Sequence, residues 1–595
     1  MKQFFKIILA VILGCLIAGT IMMFMFLGFV GSLASLADTQ PVMPNSAILK
    51  IDLSTVQIGE QSKELDIVSA ISGGRQNHVI GILDAVRAID AAAADPAIKY
   101  IYLKPDMVTG GMAEIEELRQ ALLKFRQSGK AVISYMENPS NAGYYLASAS
   151  DKIYMTPHLG GMNTLTGISS QMFFLKDILE KFGVNVQLIR HGKYKSAGEM
   201  FVRSEASPEN LTQNRELVAS IWNSWTDDIA ASRDITQDDF NSAIDGLELN
   251  FPQDFVDAGL VDELLTQDEL KTKLTEYFNA AGFDQTAMIS LSDYARLTVF
   301  PDFKAGRKVA VIFANGNIID GTDDTQVSGD RFADIISGIR KDEAVKAVVF
   351  RVNSPGGSVL ASEKISNEIA LLAAEKPVVA SFGDYAASGG YWISAGCDYI
   401  FTNSSTLTGS IGVFSMIPDF SKTLDDIAHV NVTSVNSNRY SDLYSCLRPL
   451  SDKETAYMQA SVEKIYDRFT SIVAEGRSMN TEYVDSIAQG RVWSGDDAVR
   501  LGLADETGTL SDAIYYAISC GDEGSAYHDL SEWEIVEYPK PLTTFEMLMK
   551  TLNGPVSAHV FNGTPFSGIE EAFMDWNSSQ SGKVYARMPY ELVIK

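Results

Sequence analysis

From Ile7 to Ala37 the chain runs for 31 residues without a charged side chain, after Lys2 and Lys6 and before Asp38. At ~1.5 Å per residue a helix of that length exceeds a hydrocarbon core of ~30 Å, so the pattern predicts one transmembrane anchor within residues 1–37. The two lysines place the short N-terminus in the cytoplasm and everything after Ala37 outside. Ser35-Leu36-Ala37 offers a small-residue cleavage site, but the apolar run is far longer than the ~7–15 residues of a secretion signal, which favours an uncleaved anchor. Leu13-Gly14-Cys15 hints at a lipoprotein box, yet the sequence stays apolar well past it. No later stretch is apolar and long enough to span a bilayer, so a single-pass bacterial envelope protein with a large exported body is expected.

Beyond the anchor the pattern changes to short β-branched runs separated by helical periodicity. Val309–Ala314, Ala347–Val352 and Pro377–Phe382 read as strands buried on both faces, with a helix over Ser358–Ala374 between the second and third. Such alternation implies βαβ crossovers and mostly parallel sheets, an α/β fold. The pattern also occurs twice. Gly143-Tyr-Tyr-Leu-Ala-Ser-Ala-Ser-Asp151 answers Gly390-Tyr-Trp-Ile-Ser-Ala-Gly-Cys-Asp398, an offset of 390 − 143 = 247. Asn185-Val186 answers Asn431-Val432 at 246, and Gly259-Leu-Val-Asp-Glu263 answers Gly502-Leu-Ala-Asp-Glu506 at 243. Order and spacing held over some two hundred residues point to duplication. The expected organisation is an anchor (1–37), a first repeat (46–296), a linker marked by Pro301 and Gly306 (297–307), a second repeat (308–538) and a C-terminal extension (539–595) packed on the body.

Composition narrows the function. Acidic residues exceed basic ones by 76 − 48 = 28, a charge that repels phosphate backbones and argues against nucleic acid as a partner. The four cysteines form no C-x-x-C pair, the six histidines are scattered, and no metal-binding or nucleotide-binding motif occurs, so neither metal nor cofactor is expected.

Two glycine-rich turns in the second repeat carry candidate chemistry. Asn353-Ser-Pro-Gly-Gly-Ser358 lies between a strand and a helix, where free backbone N–H groups can stabilise an oxyanion. Asp384-Tyr-Ala-Ala-Ser388-Gly-Gly-Tyr-Trp392 follows the next strand and exposes a serine hydroxyl at a tight turn, a candidate nucleophile that lacks the G-x-S-x-G elbow. A serine needs a base. Aligning the repeats places Asn141 opposite Ser388 and Lys195 opposite Ser441, so one copy carries the hydroxyl and the other an amine. A lysine buried among apolar neighbours loses its proton readily and can accept one from serine; a solvent-facing lysine in a basic loop with Arg190 and Lys193 is the plainer alternative.

Asn-Ser-Pro-Gly-Gly (353–357), Ala-Ala-Ser-Gly-Gly-Tyr-Trp (386–392), Thr-Leu-Thr-Gly-Ser-Ile-Gly (406–412) and Tyr-Lys-Ser-Ala (194–197), in this order of repeats behind an anchor, resemble the long form of the signal peptide peptidase A family. The resemblance covers nearly everything after Ala37. It implies Clp protease/crotonase-like domains in tandem and a Ser–Lys dyad drawn from both, with Ser388 as nucleophile and Lys195 as general base. Ser410 would orient the lysine, and the N–H groups of Gly357 and Gly389 would form the oxyanion hole, with Gly356 open as an alternative to its neighbour. It further implies a homotetrameric bowl on the outer face of the cytoplasmic membrane that degrades cleaved signal peptides and other short apolar peptides. Two other classes share the fold: acyl-CoA enzymes of the crotonase type, which call for a paired glutamate base, and a catalytically silent envelope scaffold.

Overall fold

The computed structural model describes residues 14, 17–22, 41–63, 78–299, 306–521, 532–540 and 583–588. The anchor expected within 1–37 therefore falls, apart from Gly14 and residues 17–22, outside the described residues, as does most of the extension. Among the described residues no helix is long and apolar enough to cross a membrane.

Apolar runs at β-spacing build the first sheet. β1 (Ala47–Asp52), β2 (Ile98–Lys104), β3 (Val132–Met136) and β4 (Lys152–Met155) pair in parallel, linked through helices α1 (Ile82–Ala94), α2 (Met112–Arg126) and α3 (Asn141–Ala147). β5 (Asn185–Arg190) leaves this sheet, while β6 (Glu263–Leu264) and β7 (Met288–Ser290) close its edges in the order β6-β4-β3-β2-β1-β7.

The second repeat runs β8 (Arg307–Asn315), β9 (Ile318–Ile319), β10 (Val327–Ser328), β11 (Val345–Ser354), β12 (Gly356–Ser358), α4 (Val359–Ala373), β13 (Val378–Ala387), α5 (Gly389–Ser394), β14 (Tyr399–Thr402), β15 (Leu407–Gly409), β16 (Phe414–Asp419), β17 (Val492–Ser494) and β18 (Trp533–Tyr538). Its sheet is ordered β17-β15-β13-β11-β8-β18, with β14 also on β13 and the pair Glu506–Thr507 on β14. The path β18-β8-β11-β13-β14 repeats β7-β1-β2-β3-β4, strand for strand and in parallel, so the duplication read from the sequence is a duplication of topology. Residues 309–314 and 347–352 are buried throughout, as strands covered on both faces require.

Two local expectations change. β13 continues past Phe382 to Ala387, because Asn353 Oδ1 accepts the N–H of Tyr385 at 3.1 Å and Ala386 pairs with Ser354. Gly356–Ser358 form a short strand beside β9 instead of a helix terminus, and the helix is capped by Ser358, whose hydroxyl accepts the N–H of Ala361.

A third sheet joins the two repeats in the order β10-β9-β12-β19-β16-β5, where β19 (Val584–Arg587) comes from the extension. β5 of the first repeat runs antiparallel to β16 of the second, from Asn185 opposite Asp419 to Arg190 opposite Phe414. The duplication would put a counterpart of β5 at 431–436, but those residues form no strand and Ser441 is exposed in a turn. The largest apolar core likewise spans the repeats, with Ile89 and Leu122 in one cluster with Val311, Ala347 and Ile514.

Candidate active site

The pairing of β5 with β16 delivers the loop that follows β5 to the end of β13. Lys195, on that loop, is completely buried, as are Ser388 and Ser410. Lys195 Nζ is hydrogen-bonded to Ser388 Oγ at 2.8 Å, to Ser410 Oγ at 3.0 Å and to the Ser410 carbonyl at 3.1 Å. Burial pulls the amine well below the ordinary lysine range, and among the described residues no carboxylate offsets it. Its stem threads a slot cut by two glycines. A methyl group on Gly490 would lie 2.5 Å from Lys195 Cβ, and one on Gly412 would lie 3.2 Å from Lys195 Cδ. Arg190 Nη1 donates to the lysine's carbonyl at 2.6 Å and fixes the loop from below.

Ser388 is the residue between β13 and α5, with φ 56° and ψ −112°, a conformation that costs a serine energy and persists only when its surroundings enforce it. Its N–H donates to the Gly409 carbonyl at 2.8 Å, which anchors the turn on β15. Ser410 is also left-handed, at φ 49°. Gly357 and Gly389 adjoin one another beside the serine: a methyl on Gly389 would lie 3.0 Å from Gly357 N. The N–H of Gly356 donates to Ser354 Oγ at 3.2 Å, which favours Gly357 of the two adjacent amides for the site. All five residues expected from the sequence thus meet in one place. Chemically, a neutral amine against a hydroxyl can take its proton, and paired amides can hold the negative oxygen that follows.

In the first repeat the equivalent turn is sealed. Asn141 opens α3, donates from Nδ2 to the Gly167 carbonyl at 2.9 Å and accepts the N–H groups of Thr166 and Gly167. Among the described residues no group of histidine, cysteine and carboxylate side chains could hold a metal ion.

What fixes the repeats around this site carries no signal in the sequence. Glu114, Glu116 and Glu117 on α2, which the sequence analysis did not single out, are all buried against the second repeat. Arg351 of β11 is bidentate to Glu60 at 2.8 and 3.2 Å and pairs with Glu117 at 2.8 Å, all three side chains being 1–2 % exposed. Asp384, four residues before Ser388, accepts the N–H of Ala113 at 2.8 Å and so caps α2 from across the interface. Glu114 packs on Asp384. Burial first and the Asp384 charge second push Glu114 well up, and burial pushes Asp384 up. Glu116, bonded to Trp225 Nε1 and the N–H of Ser405, is pushed up to about 7 by burial.

Tandem parallel-sheet repeats closed around a buried lysine and a strained serine have the parts of a serine peptidase. A family model described as Peptidase family S49 matches the chain twice, over 124–280 and 370–518. Protease 4 of Haemophilus influenzae is 34% identical over 84% of this chain and 84% of its own, and Protease 4 of Salmonella typhi 37% identical over 80% and 77%. The chloroplastic serine protease SPPA of Arabidopsis thaliana is 32% identical over 72% of this chain and 64% of its own. The chain belongs to peptidase family S49 and is a serine peptidase.

Proposed function

We propose that this chain is a membrane-anchored serine endopeptidase that uses a Ser388–Lys195 dyad to degrade cleaved signal peptides at the outer face of the cytoplasmic membrane. The observation that carries the reading is the buried contact between Lys195 Nζ and Ser388 Oγ at 2.8 Å, in a setting where burial disfavours the charged amine. Ser388 Oγ attacks the scissile carbonyl while Lys195 takes its proton and later returns it to the leaving amine. Ser410, bonded through both oxygens, holds the lysine in line, and the amides of Gly357 and Gly389 receive the oxyanion. No carboxylate bonds to the dyad among the described residues, which sets it apart from acyl-CoA chemistry built on a glutamate base.

The substrate class rests on the family resemblance and on the anchor. A signal peptide is short, apolar and without a fold, the kind of chain that is bound extended, through main-chain hydrogen bonds and apolar pockets. The uncharged run from Ile7 to Ala37 supports a tether at the bilayer where released signal peptides reside, and the family resemblance supports a homotetramer. The test is the full chain in detergent with a fluorogenic signal-peptide fragment and a fluorophosphonate probe. Hydrolysis with labelling confined to Ser388 is expected; turnover with the label on another serine would sink the dyad.

A further inference from the structure

Residues 489–491 bond to both walls of the dyad. The N–H of Tyr194, the residue before the lysine, donates to the Gln489 carbonyl at 2.9 Å. The N–H of Gly490 donates to the Ile411 carbonyl at 2.8 Å, and the N–H of Ser410 donates to the Arg491 carbonyl at 2.6 Å. Contact on the lysine side is tight: a methyl on Gly192, at φ 99°, would lie 2.4 Å from the Gln489 carbonyl carbon. β17 follows at once and runs antiparallel to β15, with Val492 opposite Gly409 and Trp493 opposite Thr408. A helix of the first repeat, Pro208–Arg233, holds this segment from the other side. Gln213 Oε1 accepts the N–H of Val492 at 2.8 Å, Glu216 pairs with Arg491, and Ser220 Oγ lies 2.8 Å from Ser494 Oγ. Positions 213, 216 and 220 share one face of that helix.

The Arg491 side chain ties these contacts together. Its guanidinium carbon lies 3.8 Å from the centre of the Trp493 ring and 5.1 Å from that of Tyr194, within the range in which an aromatic face attracts a cation. The Trp493 ring is itself fixed. Its Nε1 donates to the Ile487 carbonyl at 2.8 Å, and a methyl on Gly409 would lie only 2.9 Å from Trp493 Cδ1. Lys193 Nζ is a second cation at Tyr194, 5.2 Å from the ring centre, but Lys193 is exposed. Arg491 Nε is buried with no hydrogen-bond partner among the described residues, so the two rings and Glu216 hold the group. We infer that Arg491 is a positioning residue for the proton transfer, its carbonyl setting Ser410 and its guanidinium setting Tyr194, and through them Lys195. The inference rests on the dyad reading above. Arg491 touches neither Ser388 nor the lysine amine; it governs how far the amine lies from the two serine hydroxyls. A lysine could not replace it, because an ammonium is a point charge without the flat face that lies over indole and phenol rings.

Steady-state kinetics of the purified full chain on the fluorogenic signal-peptide fragment, normalised to the fraction of protein that a fluorophosphonate labels at completion, test this. Arg491→Met keeps an apolar stem and should lower kcat about 10- to 100-fold, with KM within about two-fold of parent. It should also move the acid limb of the kcat profile to higher pH by roughly half a unit to one unit, as a lysine released from its slot regains water. Arg491→Lys keeps a charge for Glu216 but not the flat face, and should fall between parent and the methionine variant. Arg491→Met combined with Tyr194→Leu should be no slower than the worse single variant, since both remove one contact. Turnover that falls only with the labelled fraction, the acid limb unmoved, would make Arg491 merely structural and overturn the inference. A rise in KM at unchanged kcat, or effects of the two substitutions that multiply, would overturn it as well. Should the methionine variant not fold, Arg491→Lys decides by the same kcat and KM split and the same limb. Parent turnover that survives Ser388→Ala would bring down the dyad reading and this inference together; Ser388-dependent turnover that Arg491→Lys and Arg491→Met leave at the parent's rate would bring down this inference alone.

Discussion

Lys195 and Ser388 lie 193 positions apart in the chain, one in each repeat, yet their Nζ and Oγ atoms are 2.8 Å apart with both side chains fully buried. Ser388→Ala should therefore abolish peptide hydrolysis, and Lys195→Met should lower kcat by a factor on the order of 10²–10⁴ or more, with both proteins folded. Asn141→Ala, at the sealed turn of the other repeat, should leave kcat within a few-fold while costing roughly 1–3 kcal/mol of stability for its lost hydrogen bonds. Equal sensitivity of the two turns in a steady-state assay would refute this division.

The lysine also writes a pH signature on stability. Its folded-state pKa lies below the unfolded value of about 10.4, so between the two the unfolded chain binds more protons and stability rises with pH, by about 1.4 kcal/mol per unit for this one group. Lys195→Met removes that dependence. It should be more stable than Ser388→Ala near neutral pH, with the gap closing as pH approaches 10 in denaturant melts; a Met variant less stable at every pH would mean the amine is a charged structural partner.

Glu116 has the opposite sign. Its folded pKa is raised to about 7 by burial. Its contribution is complete below the unfolded carboxyl range and is lost as pH rises through 7, a swing of roughly 3 kcal/mol. Glu116→Gln has no proton to lose and keeps one of the two acceptor oxygens that Trp225 and Ser405 use, which adds an offset that does not vary with pH. Relative to parent it should gain stability between pH 5 and pH 8; a constant offset across that range would exclude a protonated Glu116.

Gly490→Ala tests the slot around the lysine. The new methyl meets Lys195 Cβ at 2.5 Å, and the backbone there has φ 78°. A shift of the amine by about 1 Å is expected to lower kcat about 100-fold, with a stability loss of roughly 1–3 kcal/mol. Gly129→Ala, at φ 84° but with nothing within 4 Å, should show the backbone cost alone and full activity.

Arg351→Met should destabilise by about 3–5 kcal/mol, because Glu60 and Glu117 would remain buried without their cation. Arg351→Lys should recover only part of this, since one ammonium cannot reproduce the fork that spans both carboxylates. Chemical denaturation at neutral pH distinguishes the three proteins; parity of the Met variant with parent would show that the acids take up protons at no cost.

Much of the site was legible because the chain carries its own comparison. Aligning the repeats exposed a serine with no partner in one and a lysine with no partner in the other. The parallel strands were legible from their uninterrupted apolar runs. What joins the repeats was not: β5 is only half-buried, so its sequence lacks a core signature, and its partner β16 lies in a stretch with no counterpart to it. The acids of α2 were passed over for a related reason. Three glutamates in four residues ordinarily face water; here Glu117 pairs with Arg351, Glu116 accepts from Trp225 Nε1 and the N–H of Ser405, and Glu114 lies against Asp384. Gly490 is silent in sequence, since its role is to be absent from the volume the lysine crosses.

The antiparallel seam between β5 and β16 has a consequence for how the site depends on dilution. In an enzyme assembled from separate halves, the meeting of amine and hydroxyl would be a bimolecular encounter, lost as the protein is thinned out. Here one covalent chain holds both, so the local concentration of each half about the other is set by tether geometry, on the order of millimolar for a short flexible connection. With the two groups divided between two copies in one chain, an association equilibrium becomes a folding step. A cell with very few copies of this protein would still have every copy equipped.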